Sequence, residues 1–346
     1  MKGCKYGTHR VIEPKGVLPQ AAWRIDNTMV PLDNEILVDV DTLNVDAASF
    51  TQIKQQAGGD DGEIARIMLG IVRERGKHHN PATGSGGMFI GTVREIGPEL
   101  AGKVKLRPGD RIASLVSLSL TPLVIEEILE IRKDADQVRV RGQAILFESG
   151  IWAVLPCDMP ASLALAVLDV AGAPAQTAKL VRPGDTVLVI GAGGKSGLLC
   201  LHEAKKRAGV TGRVLGLAHS RASLDRVIES GLADHAFSSD ATRPLEVFEK
   251  VSELTSGKLA DITINCVNIP GTEMASIMAT RDKGVVYFFS MATSFTAAAL
   301  GAEGIGKDVT MIIGNGYTEG HAEIALATLR ENPVLMEMFL RRWAAA

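Results

Sequence analysis

The stretch TVLVIGAGGKSGLLCLHEAKKRAG, residues 186–209, constrains this chain more than any other. An apolar strand-like run passes into Gly191, Gly194 and Gly197 and then into a helical pattern. Gly194-Lys195-Ser196 ends like a triphosphate loop, whose G-x-x-x-x-G-K-[ST] pattern needs its first glycine five residues earlier. That position is Val189, inside the strand, so the loop is too short to wrap a phosphate. A dinucleotide turn needs a strand, a tight glycine turn and a helix N-terminus facing a pyrophosphate. All three follow in order here. Gly191 ends the strand, Gly194 permits close backbone approach, and Gly197 lets the helix pack near the sheet. The backbone of Gly191, Gly193, Gly194, Lys195, Ser196 and Gly197 is therefore the expected pyrophosphate cradle.

The pattern around the turn extends it into a domain. From 166 to 314, the runs TVLVI, RVLGLA, HAF, DITINC, VVYFFS and VTMIIG alternate with helical segments. Six buried strands with helices between them predict an α/β fold, a doubly wound parallel sheet of the Rossmann type. Residues 1–165 read differently. EILVDVDTL, GTVREIG, RIASLVSL and AILFESGIWAVLP are short β-rich runs with Gly and Pro punctuation, including a Pro-Gly turn at LRPGD, 106–110. They predict a partly open β-barrel. One helix stands out there: in DGEIARIMLGIVRERG the apolar Ile64, Ile67, Met68, Ile71 and Val72 fall on one face. The helical tail, 315–346, is expected to fold back and complete this first domain.

Composition closes other possibilities. A net charge of −3 points to no nucleic acid and no anionic membrane surface. The four cysteines are far apart, which argues against a disulfide framework or a cysteine-rich zinc knuckle. The start MKGCKYGTHRVIEPKG has no apolar run, and no stretch of about 18 apolar residues occurs. A cytoplasmic protein is the expectation.

The second Rossmann strand bears on the cofactor. NAD-specific sites place a carboxylate at its end for the ribose 2′-hydroxyl. Here Ala218 stands there, followed by His219, Ser220 and Arg221. A hydroxyl with a guanidinium, and no acid, suits a 2′-phosphate. Ser220 and Arg221 thus favour NADP, with NAD still possible. The plainer reading of Arg221 is a solvated residue opening a helix.

Taken in order, NEILVDVDTLNVDAASF, GGMFIGTVREIGPEL, LRPGDRIASL and LVRPGDTVLVIGAGGKSG resemble the medium-chain dehydrogenase/reductase superfamily over nearly the full length. The resemblance implies a GroES-like barrel domain beside the Rossmann domain, with dimers common and a substrate cleft between domains. It also implies that the loops after the fourth and fifth Rossmann strands, NCVNIPG and FSMATS, touch ribose and nicotinamide. Val267, Asn268, Ser290 and Met291 are the residues so marked. Many relatives hold a catalytic zinc at positions that fall here near Asp46–Ala47, at Gly87–Met88 and near Ala166. Two of those three offer no ligand, and the cysteines of the structural zinc lobe are missing after Gly97. No metal is expected.

Three unusual segments, KYGTHRVIEPKGVLPQAAWRIDN, FTQIKQQAGGD and GKHHNPATGSGGMFIG, are similar to one branch of that superfamily, the L-erythro-3,5-diaminohexanoate dehydrogenases. The similarity implies oxidative deamination of a diamino acid in lysine fermentation, giving 5-amino-3-oxohexanoate and ammonium. That chemistry needs a base near neutrality, a held water, a cation for the carboxylate and an anion for the second ammonium. Asp46 and Glu63 are the candidate anions, His78 and His79 the bases or donors, and Lys77 the carboxylate partner. Ser49, Asn80 and Thr83 could orient water. Each has an ordinary alternative: Asp46 as a cap, Glu63 as a first-turn acid, the histidines as exposed loop residues. A zinc-free NADPH quinone or enoyl reductase would share the cofactor turn but want an apolar pocket. A non-catalytic cofactor-binding scaffold would share the fold.

Overall fold

The computed structural model describes residues 1–80, 86–290, 292–314 and 316–343. The chain divides into two compact units, Met1–Asp158 and Met159–Ala346.

In the first unit, β1 (Val11–Glu13) and β2 (Arg24–Ile25) make a small antiparallel ribbon. There follow β3 (Glu35–Asn44), α1 (Ala47–Gln56), α2 (Asp61–Arg75), β4 (Met88–Ile96), β5 (Arg111–Ser114), β6 (Leu123–Arg132), β7 (Gln137–Phe147) and β8 (Trp152–Val154). The last six strands form one antiparallel sheet in the order β6-β7-β3-β4-β5-β8. β3 is central because Val38, Val40 and Leu43 reach the core between two neighbours. Its final partner across β4 is Met88, opposite Asn44.

Helix α2 keeps the face read from its spacing: Ile64, Ile67, Met68 and Val72 are buried, while Ile71 is half-buried against the same core. Asp60 caps its start by accepting from the Glu63 amide at 2.8 Å, and Gly76 ends it at φ 72°. Helix α1 is a second helix that the sequence pattern did not reveal. Asp46 starts it by accepting from the Ser49 amide at 2.9 Å, and Phe50 and Ile53 anchor it in the core.

The second unit runs α3 (Ala161–Leu168), α4 (Gly172–Leu180), β9 (Thr186–Ile190), α5 (Lys195–Ala208), β10 (Arg213–Ala218), α6 (Arg221–Ser230), β11 (His235–Ser238) and α7 (Pro244–Leu254). It continues with β12 (Ala260–Asn265), α8 (Glu273–Ala279), β13 (Thr280–Phe288), α9 (Phe295–Gly304), β14 (Thr310–Ile313), α10 (His321–Glu331) and α11 (Pro333–Trp343). All six strands read from the sequence are present. They form one parallel sheet in the order β11-β10-β9-β12-β13-β14. The winding reverses beside β9, where β10 lies on one side and β12 on the other. Ligands of such sheets bind outside the carboxyl ends at that point.

The C-terminal helices differ from the sequence expectation that joined 315–346 to the first domain. In the structure α10 packs on α3, α4 and α5, and α11 on α3 and α6. Their apolar faces, including Leu326, Leu329, Leu335 and Phe339, are buried within the second unit, because these helices find their apolar partners there. Among the described residues no single helix is long and apolar enough to cross a membrane.

Candidate functional site

The four glycines of the turn are used in three ways. Gly191 sits at φ +79°, where only glycine is comfortable, and its amide donates to the Leu217 carbonyl at 3.0 Å. At Gly197 a side chain would run into the Gly191 carbonyl and meet the Ala192 Cα at 2.7 Å, so bareness there lets α5 close onto the turn. Gly193 is closed off by the Ser223 backbone in the same way. Gly194 is the exception. A Cβ there would meet nothing nearer than the Gly191 carbonyl at 3.5 Å, so the fold does not require a glycine. The space it leaves is open at the N-cap of α5, which no side chain caps. An uncapped helix N-terminus with an open backbone cradle fits a pyrophosphate. Lys195 Nζ is paired with Asp169 at 2.8 Å.

The neighbouring loops are tied to this turn. Asn265, buried at the end of β12, donates to Thr272 Oγ1 at 2.8 Å and Ser276 Oγ at 2.9 Å, and it accepts from the Val267 amide at 3.0 Å. Val267 Cγ2 lies 2.9 Å from where a Gly191 Cβ would be. Ser290 and Asn268 meet at 3.5 Å, linking the loops after β12 and β13. Met291 falls outside the described residues, as does Thr83. At the end of β10, Ser220 caps α6 through the Ser223 amide at 3.2 Å. Arg221 is 82% exposed and pairs with Asp225 at 2.9 Å. Arg226, on the same helix, donates to the Gly193 carbonyl at 2.7 Å.

In the first unit the structure brings Asp46, Ser49, His78 and Asn80 together. Asp46 spends one oxygen on capping α1, and its other, Oδ2, is buried without a partner. Asn80 reaches the Ser49 carbonyl at 3.4 Å. His78 is wholly buried, with Nδ1 3.3 Å from the Gly86 carbonyl. A carbonyl can only accept, so Nδ1 carries the proton and Nε2 bears a lone pair. That Nε2 is also buried without a partner. Burial pushes the His78 pKa down; the bond to Gly86 and the Asp46 charge oppose it. A carboxylate oxygen and an imidazole nitrogen left empty, with the Asp46 charge felt at His78, are matched to an amine or a water.

His79 and Lys77 are placed otherwise. His79 Nδ1 is buried and unpartnered, and its pKa falls to about 4 through burial and then the charges of Lys77, Arg75 and His78. Lys77 is fully buried and donates to the carbonyls of Pro19 at 2.6 Å and Gln20 at 3.1 Å, with its pKa lowered by burial to about 8. Glu63 is not part of the group: it lies on the first turn of α2, facing solvent and paired with Arg66.

Comparison with known proteins adds to this geometry. A family profile described as the L-erythro-3,5-diaminohexanoate dehydrogenase N-terminal domain matches residues 9–156. The L-erythro-3,5-diaminohexanoate dehydrogenase of Acetoanaerobium sticklandii is 61% identical over 98% of each chain. The chain belongs to the L-erythro-3,5-diaminohexanoate dehydrogenase family. The enzyme of that name from Fusobacterium nucleatum subsp. nucleatum is 58% identical, again over 98% of each chain. Among solved structures, a mycobacterial quinone oxidoreductase matches at TM-score 0.55 and 17% identity, covering 95% of this chain and 87% of that one. An alcohol dehydrogenase from Thermotoga maritima matches at TM-score 0.55 and 17% identity, covering 90% and 86%. These two likenesses concern the fold.

Of the superfamily zinc positions expected from the sequence, the one at Gly87 carries no donor. Gly87 has no side chain, and a Cβ there would run into the Asn44 carbonyl and stand 2.7 Å from the Val45 Cα. Among the described residues one trio, His202, Glu203 and Glu331, could converge on an ion. Its carboxylates are already held, Glu331 by Lys206 at 2.7 Å and Glu203 by Arg207 at 3.1 Å. Sequence reasoning missed Asn265 and Arg226, which hold the loop after β12 and the glycine turn. No local motif marks them: Arg226 acts on Gly193, distant in sequence, and Asn265 acts through bonds to Val267, Thr272 and Ser276 that only the folded loop brings to it.

Proposed function

We propose that this dehydrogenase oxidatively deaminates L-erythro-3,5-diaminohexanoate to 5-amino-3-oxohexanoate and ammonium, as a cytoplasmic, zinc-independent step of lysine degradation. The observation that carries the reading is the 61% identity to a dehydrogenase of that name over 98% of each chain. A nicotinamide bound at the glycine turn would supply the two-electron acceptor for the hydrogen leaving C3. The residues of the first unit do the rest. An ammonium has no lone pair to expel that hydrogen, so a proton must first leave the 3-amino group. On this reading His78 Nε2, neutral and unpartnered, takes it, and Asp46 Oδ2 stabilises the resulting positive charge or holds the second ammonium. Water then adds to the C3 iminium, a proton shifts to nitrogen, and ammonia leaves behind the ketone.

NADP is the preferred form on this reading. Ala218 puts no carboxylate at the end of β10, and Arg221 is held only by an exposed ion pair, which costs little to exchange for a phosphate. A homodimer is proposed through the free edge of β14, where Ile313 and the α9 residues Phe295 and Leu300 expose apolar surface.

The test is absorbance of reduced nicotinamide and assay of ammonium in one reaction, with 3,5-diaminohexanoate and NADP or NAD in parallel. Equimolar appearance of both products is expected, faster with NADP, and insensitive to chelators. No cofactor reduction between pH 7 and 10 would sink the reading.

A further inference from the structure

The first unit contains two arginines with little exposed surface, and they are treated in opposite ways. Arg10 is 4% exposed and grips Glu35 with two bonds, Nε to Oε1 at 2.7 Å and Nη2 to Oε2 at 2.6 Å. It donates further to the carbonyls of Thr28 at 2.8 Å and Val30 at 2.9 Å. This is a structural arginine with its charge and donors satisfied. Arg75 is 5% exposed, yet among the described residues no carboxylate, carbonyl or hydroxyl accepts from it. Its one close partner is the indole of Trp23, with Cζ 3.7 Å from the ring centroid.

A ring on the face of a guanidinium takes none of its five in-plane donors. None of those nitrogens is among the fully buried unpartnered atoms, so the fork keeps a path to solvent and is open to an incoming ligand. The surroundings are positive as well. Lys77 and His79 lie near enough to act on one another and on Arg75, and no acid offsets either of them. The acids that bear on this segment are Glu74, exposed beside Arg75, and Asp46, which acts on His78.

The packing holds this arrangement in place. Lys77 pins the carbonyls of Pro19 and Gln20, and that strap carries Trp23 a few residues on, over the Arg75 face. Gly76, between the two cations, has a carbonyl that accepts from the Leu123 amide at 3.0 Å. The result is a guanidinium braced on one face, with an open fork and a positive field around it. Such a fork matches a planar carboxylate by two parallel hydrogen bonds.

We propose that Arg75, braced by Trp23, binds the carboxylate of the amino-acid substrate. The inference rests on the function proposed above, since a 3,5-diaminohexanoate brings one carboxylate to the segment that also carries His78. It replaces Lys77, the cation marked in the sequence, whose donors are already used by backbone carbonyls.

Steady-state kinetics of Arg75→Met and Arg75→Lys test it. Arg75→Met is expected to raise KM for 3,5-diaminohexanoate by about 10- to 100-fold. KM for the cofactor and the thermal midpoint should stay near wild type. 2,4-Diaminopentane, which keeps both amines and lacks the carboxylate, should be oxidised equally slowly by variant and wild type. A folded Arg75→Met with unchanged KM for the diamino acid overturns the inference. So does a rise confined to the cofactor, which assigns the guanidinium to a cofactor phosphate. Should Arg75→Met fail to fold, Arg75→Lys decides, with a severalfold KM rise expected and no rise overturning. If wild-type enzyme does not oxidise the diamino acid at all, the functional reading has failed separately. Calorimetric titration with 3-aminobutanoate then tests Arg75 alone: weaker binding in the variant supports the site, and equal or absent binding in both overturns it.

Discussion

Arg226 on α6 donates from Nε to the Gly193 carbonyl at 2.7 Å, so the glycine turn is braced by a neighbouring helix as well as by its own strand. The same helix begins at Ser220 and Arg221, the residues assigned to the 2′-phosphate. On the proposed cofactor site, one side chain would therefore couple the shape of the pyrophosphate cradle to the position of the ribose end. Arg226→Ala should raise KM for the cofactor severalfold. It should also destabilise the fold by about 1–2 kcal/mol, the range for a charge-assisted hydrogen bond. Cofactor titration together with urea unfolding checks both.

Gly194 and Gly197 should separate binding from folding. Gly197→Ala forces a methyl against the backbone of Gly191 and Ala192, at 2.7 Å from the Ala192 Cα, and should cost about 1–3 kcal/mol as overpacking. Gly194→Ala meets only an ordinary 3.5 Å contact, so its unfolding midpoint should stay near wild type. Its cofactor affinity should nevertheless fall about tenfold or more, because the methyl occupies the cradle. Unfolding curves and cofactor dissociation constants for the two variants make the comparison.

Asp46 serves two roles that a single substitution can split. Asp46→Asn keeps a good helix cap, so stability should change by only a few tenths of a kcal/mol. It removes the charge at the buried Oδ2, and kcat should fall by about 100-fold or more if that oxygen bears on the reacting amine. Asp46→Ala should show the same loss of activity and a further loss of about 1 kcal/mol in stability. Equal kcat for Asp46→Asn and wild type would leave Asp46 as a cap alone.

Stability should depend on pH through His79. Its pKa is about 4 in the folded protein, held down by burial and by Lys77, Arg75 and His78, against about 6.5 when unfolded. Between those values the unfolded chain binds a proton that the folded chain does not. Stability therefore falls as pH drops from about 6.5 to about 4, levels off for this group below that, and is fully present above it. The effect is at most about 3 kcal/mol for one such group. Urea unfolding of wild type and His79→Gln from pH 4 to 7 should show a shallower slope for the variant.

The second unit was legible because its information is local. A strand, three glycines and a helix follow within 186–209, and each later strand is an apolar run bounded by turn residues. The first unit hides more. Helix α1, with the sequence AASFTQIKQQ, has too weak an apolar face to stand out, and it exists because Asp46 caps it and Phe50 and Ile53 find the core. Arg75 reads as an ordinary cation in the last turn of α2, where the helix dipole favours one. Nothing in the spacing links it to Trp23. Lys77 looks like a free cation until the fold brings the Pro19 and Gln20 carbonyls to it.

Asn44 and Met88 face each other across β3 and β4, so residues 45–87 leave the sheet and rejoin it at the same rung. Asp46, Ser49, Arg75, Lys77, His78, His79 and Asn80 all lie in that one excursion. Phe50, Ile53, Ile64 and Met68 from the same excursion lie in one core with Val38 and Val40 of the sheet. On the proposed function the substrate contacts would thus be grouped in one insertion that shares its core with the barrel, so that exchanging it would mean exchanging the apolar face beneath it too.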